Sequence, residues 1–279
     1  MKLNVIVEIE YYAFTAGTII LNIHPSKNTQ QHIISENFQT EPFINLESLM
    51  VQNNQLTRFE LLEGNQVKVA YQALVENHYQ FNDYQNIEET AIINLPPDVL
   101  PYLYPSRYCQ SDKLFRFAAN LFGAYINPFE KVCAISNWIF NNILYISGSS
   151  NTQTTALDTI TERAGVCRDF AHLGIALCRA LTIPARYFTG YALQLQPPDF
   201  HACFEAYIGN NWVLFDATRL VPLNGMVKIA HGFDAADTAV ANIFGGVNFI
   251  SSSVACELAE DTNNPFFYYY DSNSGLSYI

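Results

Sequence analysis

The segment AGVCRDFAHLGIALCRALTIPAR (residues 164–186) decides the fold of the second half of the chain. Between Val166 and Leu181 its residues are apolar on nearly every side, which is typical of a helix buried in the middle of a domain. Gly165 allows the chain to turn sharply just before this helix. The segment therefore predicts a central helix with Cys167 in its first turn.

Cys167 has a different chemical setting from a cysteine inside a helix. The unpaired backbone N–H groups of a helix start carry partial positive charge, which favours the thiolate, the nucleophilic form. Arg168 adds a formal positive charge, and the same N–H groups can stabilise an oxyanion. A packed core cysteine remains the alternative, and it is our interpretation of Cys178, about 16 Å further along the helix at ~1.5 Å per residue.

Two strands are predicted after the helix, HACFEAYI (201–208) and WVLFDAT (212–218). Gly209 and Asn210 between them favour a two-residue turn with positive φ at both positions. Such a turn pairs residue 208 with residue 211 and fixes the register of the hairpin. A shift of one residue would move side chains to the opposite face.

In this register His201 and Asp216 lie on one face of the hairpin. Cys203 is directly opposite Asp216 and two residues from His201, so all three share that face. Diagonal neighbours are ~7–8 Å apart in backbone terms, close enough for the His201 and Asp216 side chains to meet. A nucleophilic cysteine needs a base, and the base needs a group that orients it. Cys167, His201 and Asp216 are therefore the candidate catalytic residues.

The rest of the chain predicts an α+β protein with three parts. Residues 1–95 are rich in β-branched and aromatic residues and predict a small all-β domain. Residues 94–109 carry four prolines, where we place a boundary. Residues 105–222 contain helical periodicity followed by strands, which predicts the catalytic core. Residues 223–279 show no clear period, and we expect a C-terminal extension packed on the core.

Composition excludes some classes of function. The 279 residues are 49% apolar, enough for a sizeable core, and carry a formal charge of −12. Since phosphate binding needs a basic face, nucleic acid is not an expected partner. The N-terminal apolar stretch is interrupted by Glu8 and Glu10, so we expect neither a signal peptide nor a membrane span. No two of the six cysteines have CxxC spacing, which favours reduced thiols and a cytoplasmic protein.

The three motifs GVCRDFAHLGIALCRALTIPARYFTGY, HACFEAYI and WVLFDAT together resemble the transglutaminase-like superfamily, specifically its bacterial members. The resemblance covers about residues 111–221, and residues 1–95 look like the β domain that often precedes this core in bacteria. It implies a papain-like fold, with helices packed on an antiparallel sheet. It also implies a site in which Cys167 is the nucleophile, His201 the general base and Asp216 the group that holds the imidazole. Cys203 and Ala217 depart from the family's usual tryptophan and proline.

Three further residues are candidates for supporting roles. Asp169 and His172 lie three residues apart on the central helix, so they can touch. Glu205 shares a face with His201 and is an alternative to Asp216 as its orienting group. Arg186 is interpreted as a buried arginine that needs a carboxylate partner.

Two metal sites are alternatives on residue type alone. Cys167, Cys203, His201 and Asp216 would suit zinc, although their predicted geometry fits a triad equally well and the resemblance speaks against a metal. A second set, His231, Asp234 and Asp237, falls within seven residues of one predicted loop. We expect no metal and no cofactor.

The predicted activity is cysteine-dependent acyl transfer on an amide or peptide bond. Water as acceptor gives a peptidase or amidase, and an amine gives a transglutaminase; we favour hydrolysis because no sequence feature marks an amine site. The expected partner is a peptide or protein amide substrate. The alternative is a binding or scaffold module that keeps the fold without catalysis.

Overall fold

The computed structural model describes residues 1–51, 54–259, 265–269 and 273–278. Its α-helices are α1 (Ser111–Phe122), α2 (Pro128–Asn142), α3 (Ala156–Glu162) and α4 (Cys167–Ala180). Its strands are β1 (Lys2–Leu21), β2 (Gln31–Glu41), β3 (Glu47–Val51), β4 (Asn54–Leu61), β5 (Gln66–Asn77), β6 (Gln80–Asp83), β7 (Leu144–Tyr145), β8 (Ala164–Gly165), β9 (Ala185–Ala192), β10 (Phe200–Ile208), β11 (Asn211–Phe215), β12 (Met226–Gly232), β13 (Ala241–Leu258) and β14 (Ser274–Ser277).

The first part of the chain forms an antiparallel sheet, as its composition predicts. The strand order is β2-β5-β1-β4-β3, and β13 also pairs with β1. Strand β1 alternates between core and surface, with Leu3, Val5, Val7 and Ile9 all buried, which is the pattern of a sheet with one solvated face. This sheet covers one side of the core domain.

Strand β13 is the longest of the three strands, with β12 and β14, that the sequence of residues 223–279 did not predict. It runs antiparallel to β1 from Leu3 opposite Leu258 to Leu21 opposite Ala241, with two irregularities in register. Only two of its 18 residues are buried, with no regular alternation between them, so it lacks the pattern that marks a half-buried strand. Residues 241–258 therefore join the N-terminal sheet, whereas β14 pairs with β6 and packs Leu276 against the core sheet. The predicted boundaries of the three parts stay a prediction.

The core domain places α4 against a four-stranded antiparallel sheet of order β11-β10-β9-β12. The predicted helix of residues 166–181 is confirmed within one residue at each end. Gly174 lets α4 approach β10 closely, because a Cβ atom there would lie 2.5 Å from the Phe204 ring. On the other side, the hydroxyl of Tyr191 on β9 donates to the Ile23 carbonyl. The sheet is thus held between α4 and the N-terminal sheet.

The hairpin of β10 and β11 has the predicted register. Gly209 has φ 57° and Asn210 φ 65°, and Ile208 is opposite Asn211. The register therefore directs His201 and Asp216 toward the same face. Among the described residues, no helix is both long and apolar enough to span a bilayer.

Candidate active site

Cys167 is the first residue of α4. Its side chain is half-buried, whereas Cys109, Cys133, Cys178 and Cys203 are buried. Burial raises the pKa of Cys109 and of Cys203 to about 12, so those thiols are held in the neutral form. Cys167 lines a cavity of about 420 Å³ that His201 lines as well. It is therefore the cysteine that combines a helix start with access to a cavity.

Asp169 stabilises the start of this helix. Its Oδ2 accepts a hydrogen bond from the Val166 backbone N–H at 2.8 Å, which satisfies one of the free donors of the first turn. A Cβ atom on Gly165 would lie 2.8 Å from the Asp169 Cβ, so glycine is needed for the close approach. Asp169 thus positions the turn that carries Cys167.

His201 and Asp216 form a buried pair. The His201 Nε2 and the Asp216 Oδ2 are 3.0 Å apart. Oδ1 of Asp216 accepts from the Thr218 backbone N–H at 2.8 Å and from the Thr218 hydroxyl at 2.7 Å. Although burial opposes ionisation, the charge on His201 and these hydrogen bonds hold the pKa of Asp216 below its ordinary value. The carboxylate is thereby fixed in place and charged.

The protonation state of His201 follows from the same contacts. Burial alone would lower its pKa, but the Asp216 charge and hydrogen bond, with contributions from Cys203 and Cys167, raise it well above its ordinary value. Nε2 is turned to Asp216. The second ring nitrogen, Nδ1, is buried and has no hydrogen-bond partner among the described residues. The Cys167 thiol interacts with the same ring. The structure thus brings together the three residues that the sequence singled out.

Tyr145 is a contact of Cys167 that the sequence analysis missed. Its strand β7 runs parallel to β8, with Tyr145 opposite Gly165. Its hydroxyl interacts with both the backbone N–H and the thiol of Cys167. Burial, followed by the neighbouring Cys167, raises the pKa of Tyr145 to about 12, so the hydroxyl stays protonated. A two-residue strand of this kind has no sequence signal of its own.

The side chain of His172 hydrogen-bonds to a loop and not to Asp169, although their spacing on the helix allows contact. It accepts a hydrogen bond at Nε2 from the Ala235 backbone N–H at 3.1 Å, and its ring stacks on Tyr108 at 4.9 Å. Burial lowers the pKa of His172 to about 3, so the imidazole is neutral. Because Ala235 lines the same cavity as Cys167, His172 fixes one wall of that cavity.

Glu205 pairs with two cations and not with His201. Asp216, and not Glu205, is therefore the carboxylate that orients the imidazole. Glu205 bonds the Arg186 Nε and the Lys228 Nζ at 2.8 and 2.9 Å. Burial would raise its pKa, but these two cations lower the pKa of Glu205 to about 2. Arg186 thus has the carboxylate partner that the sequence required.

Three of the four candidate zinc ligands lie close together. Ligand atoms of His201, Cys203 and Asp216 lie within 4.8 Å of one another, and all three types bind zinc. However, Nε2 of His201 is already bonded to Asp216, and the other oxygen of Asp216 accepts two hydrogen bonds from Thr218. These contacts fit a hydrogen-bonded pair better than a metal site.

In the second candidate metal set, the two carboxylates accept hydrogen bonds from backbone N–H groups. Asp234 accepts from the Tyr108 and Ala236 N–H groups at 2.9 Å, and Asp237 accepts from the Phe233 N–H at 2.9 Å. His231 lines a different cavity from that of Cys167. The two carboxylates therefore shape a loop.

The cavity beside Cys167 is cationic. It is lined by Arg107 and Arg168, and among the described residues no aspartate or glutamate belongs to its lining. The two guanidinium carbons lie 5.1 and 5.7 Å from the centroid of the Tyr108 ring. A chain that is acidic overall thus presents positive charge at this cleft.

Comparison with known proteins gives three kinds of match: sequence models, solved structures and curated relatives. A sequence model of the transglutaminase-like superfamily matches residues 116–217, and one of the bacterial transglutaminase N-terminal domain matches residues 1–98. Among solved structures, a proposed cysteine protease from Cytophaga hutchinsonii is 51% identical. The match covers 99% of this chain and 97% of that chain, with a TM-score of 0.96.

Curated relatives match over shorter stretches. An uncharacterized protein of Mycobacterium leprae is 29% identical over 144 residues, or 47% of this chain and 50% of that protein. One of Mycobacterium tuberculosis is 38% identical over 64 residues, or 23% of this chain and 20% of that protein. The matched regions span half or less of these relatives. The match that extends over nearly the whole chain, together with the two sequence models, shows that the chain belongs to the transglutaminase-like superfamily.

Proposed function

We propose that the protein catalyses cysteine-dependent acyl transfer on an amide or peptide bond, with water as the favoured acceptor. The observation that carries the proposal is the meeting of Cys167, at a helix start and on an open cavity, with a His201 ring anchored on Asp216. This is the arrangement of nucleophile, base and orienting group that acyl transfer needs.

The raised pKa of His201 favours a resting thiolate–imidazolium pair. The Cys167 thiolate attacks the amide carbonyl, and the carbonyl oxygen becomes an oxyanion. His201 gives its proton to the leaving amine as the carbon–nitrogen bond breaks, which leaves an acyl-enzyme. Water then attacks this thioester, His201 takes a proton from the water, and the Cys167 thiolate leaves as the acid is released, which restores the resting ion pair.

The oxyanion would be met by two donors. One is the backbone N–H of Cys167, which belongs to the first turn of α4. The second is the hydroxyl of Tyr145, which interacts with that same N–H and with the thiol. An oxygen bound at this point would replace the Tyr145–Cys167 contact with two hydrogen bonds.

The charge of the cleft favours a substrate with a carboxylate near the scissile amide. Arg107 and Arg168 line the cavity, and the Asp169 carboxylate, 3.4 Å from the Arg168 guanidinium, offsets only one of their two charges. Guanidinium groups bind carboxylates with two parallel hydrogen bonds. Acidic peptides are therefore the first substrate class to test.

The test of the function is selective modification of the six cysteines. Iodoacetamide at neutral pH should alkylate Cys167 first, as located by peptide mass spectrometry, and Cys167→Ser and Cys167→Ala should abolish turnover of peptide amides. Cys256→Ser is the matched control, since Cys256 is also half-buried and lies on β13. Equal labelling of Cys167 and Cys256, or turnover by the Cys167 variants, contradicts the proposal.

The pH dependence of this alkylation distinguishes the alternative, a binding module without catalysis. In that case labelling of Cys167 would fade as the pH falls below neutrality. In the enzyme, labelling would persist there because His201 and the helix start stabilise the thiolate.

A further inference from the structure

A second cavity, of about 430 Å³, lies between the N-terminal sheet and the core sheet. Pro25 to Asn28, Met50 and Gln55 line it from the N-terminal side, and Arg186, Trp212, Lys228 and His231 line it from the core. It shares no lining residue with the cavity of Cys167. Along β10, Glu205 at its base is four residues from His201, or about 13 Å at ~3.3 Å per residue.

Only part of the hydrogen-bonding capacity of the Arg186 guanidinium is satisfied within the described residues. The residue is 8% exposed, and its Nε donates to Glu205. In the part of the chain that the structure describes, its two terminal NH₂ groups make no hydrogen bond. The Trp212 ring lies over the guanidinium, with its centroid 4.1 Å from the Arg186 Cζ. Four N–H donors of a buried cation therefore face a cavity.

The cavity also has an excess of positive charge. The single carboxylate of Glu205 neutralises only one of its two partners, Arg186 and Lys228. Asp98, the one acidic residue that the described part of the chain contributes to the lining, is exposed. Burial, followed by Lys228 and Arg186, lowers the pKa of His231 to about 3, so that imidazole is neutral. A buried charge without a full set of partners is destabilising, and an anion in the cavity would relieve this.

We infer that this cavity is a binding site for a small organic oxyanion, held by the two terminal NH₂ groups of Arg186 with Lys228 and His231 beside it. A planar guanidinium edge matches a carboxylate or phosphate with two parallel hydrogen bonds. The cavity volume falls within the ~300–1,000 Å³ of small-molecule sites. Trp212 and Met50 supply apolar surface for the carbon part of the ligand. The site is separate from Cys167 and does not depend on the proposed acyl transfer.

The test uses Trp212 as a reporter. The chain has two tryptophans, so Trp138→Phe leaves Trp212 as the only one. This variant is titrated with sodium succinate and with sodium phosphate, each against sodium chloride at equal ionic strength. A saturable change in emission is expected with at least one of the two anions and not with chloride. Which anion responds distinguishes a carboxylate ligand from a phosphate ligand.

Variants locate the binding. Arg186→Lys keeps a positive charge next to Glu205 but lacks the paired NH₂ groups, so the apparent Kd should rise at least tenfold. Arg58→Lys, at a surface ion pair with Glu47, is the matched control and should leave Kd unchanged. Circular dichroism and the thermal midpoint establish that each variant is folded.

A second measurement needs no change at Arg186. In proton NMR of the wild type, a bound anion should raise the pKa of His231 from its low value, while the exposed His78 is unaffected. Each of three results would overturn the inference. They are the lack of a saturable response to either anion, binding that survives Arg186→Lys in a folded protein, and a His231 signal that does not shift on binding. The Cys167→Ser variant should bind the anion as the wild type does, so failure of this proposal and failure of the acyl-transfer proposal are distinguishable.

Discussion

The Nε2 of His201 lies 3.0 Å from the Oδ2 of Asp216, and the two residues are only 1% and 7% exposed. With water excluded, the carboxylate acts on the imidazole at a low effective dielectric constant, which strengthens the interaction. The orientation and the charge of the ring therefore depend on one neighbour. Thr218 in turn holds the other carboxylate oxygen.

Asp216→Asn should remove most of the activity. Asparagine can still accept a hydrogen bond from the ring, but it carries no charge, so the pKa of His201 falls and the thiolate of Cys167 loses its counter-ion. We expect turnover to fall by roughly 10²–10⁴-fold and the pH profile of Cys167 alkylation to move to higher pH. Asp112→Asn, at an exposed position of α1, is the control. An unchanged alkylation profile in Asp216→Asn would show that the carboxylate does not set the state of the site.

Tyr145→Phe tests the second oxyanion donor. Loss of the hydroxyl should lower kcat by about 10²–10³-fold, with KM changed little because the donor acts on the transition state. Alkylation of Cys167 should persist, since the nucleophile is intact. Tyr125→Phe, at another exposed tyrosine, should leave kcat unchanged. Equal kcat for wild type and Tyr145→Phe would remove this role.

Arg107→Gln tests the charge of the cleft. Arg107 is exposed at the rim of the cavity, so the fold should tolerate the change. For substrates with a carboxylate next to the scissile amide, we expect KM to rise several-fold while kcat is unchanged, because the contact is the same in the ground state and the transition state. The KM of neutral amide substrates should not change. A parallel effect on both substrate classes argues against recognition by charge.

The parts that the sequence predicted correctly have local signals. The long apolar segment after Gly165 specifies α4, and the Gly209-Asn210 turn fixes the hairpin register, so the helix start and the strand face of His201 and Asp216 follow from nearby residues. The motif order then identified the family. These features need no knowledge of distant contacts.

The parts that the sequence did not predict depend on distant contacts. Strand β13 is placed by backbone pairing with β1 across more than 200 residues, and its exposed side chains give no pattern. Tyr145 reaches Cys167 only because β7 pairs with β8. The spacing of Asp169 and His172 allows contact, but each side chain accepts from a backbone N–H instead, since a helix start and a loop offer unpaired donors.

Gly174→Ala should destabilise the core domain without changing its chemistry. An added Cβ would lie 2.5 Å from the Phe204 ring, and both residues are buried. The helix or the ring must shift, which costs about 1–3 kcal/mol in a packed core, more than the ~1 kcal/mol that alanine gains over glycine in a helix. Urea unfolding at neutral pH measures the loss. A variant as stable as the wild type would mean that α4 and β10 pack less tightly than described.

His172 should make the stability of the protein depend on pH. Its folded pKa is about 3 against ~6.5 in an unfolded chain, so between these values the unfolded state binds the extra proton. The contribution of His172 is therefore fully present above pH ~6.5 and is lost as pH falls toward 3, at about 1.4 kcal/mol per pH unit at most.

His172→Gln isolates this effect, because glutamine can still accept from the Ala235 N–H but does not titrate in this range. The variant should be less stable than the wild type at pH 7, and the difference should shrink as pH falls through 6, 5 and 4, as measured by urea unfolding. His78→Gln, at an exposed histidine, serves as control. Parallel stability curves for wild type and His172→Gln would show that His172 is not held neutral by burial.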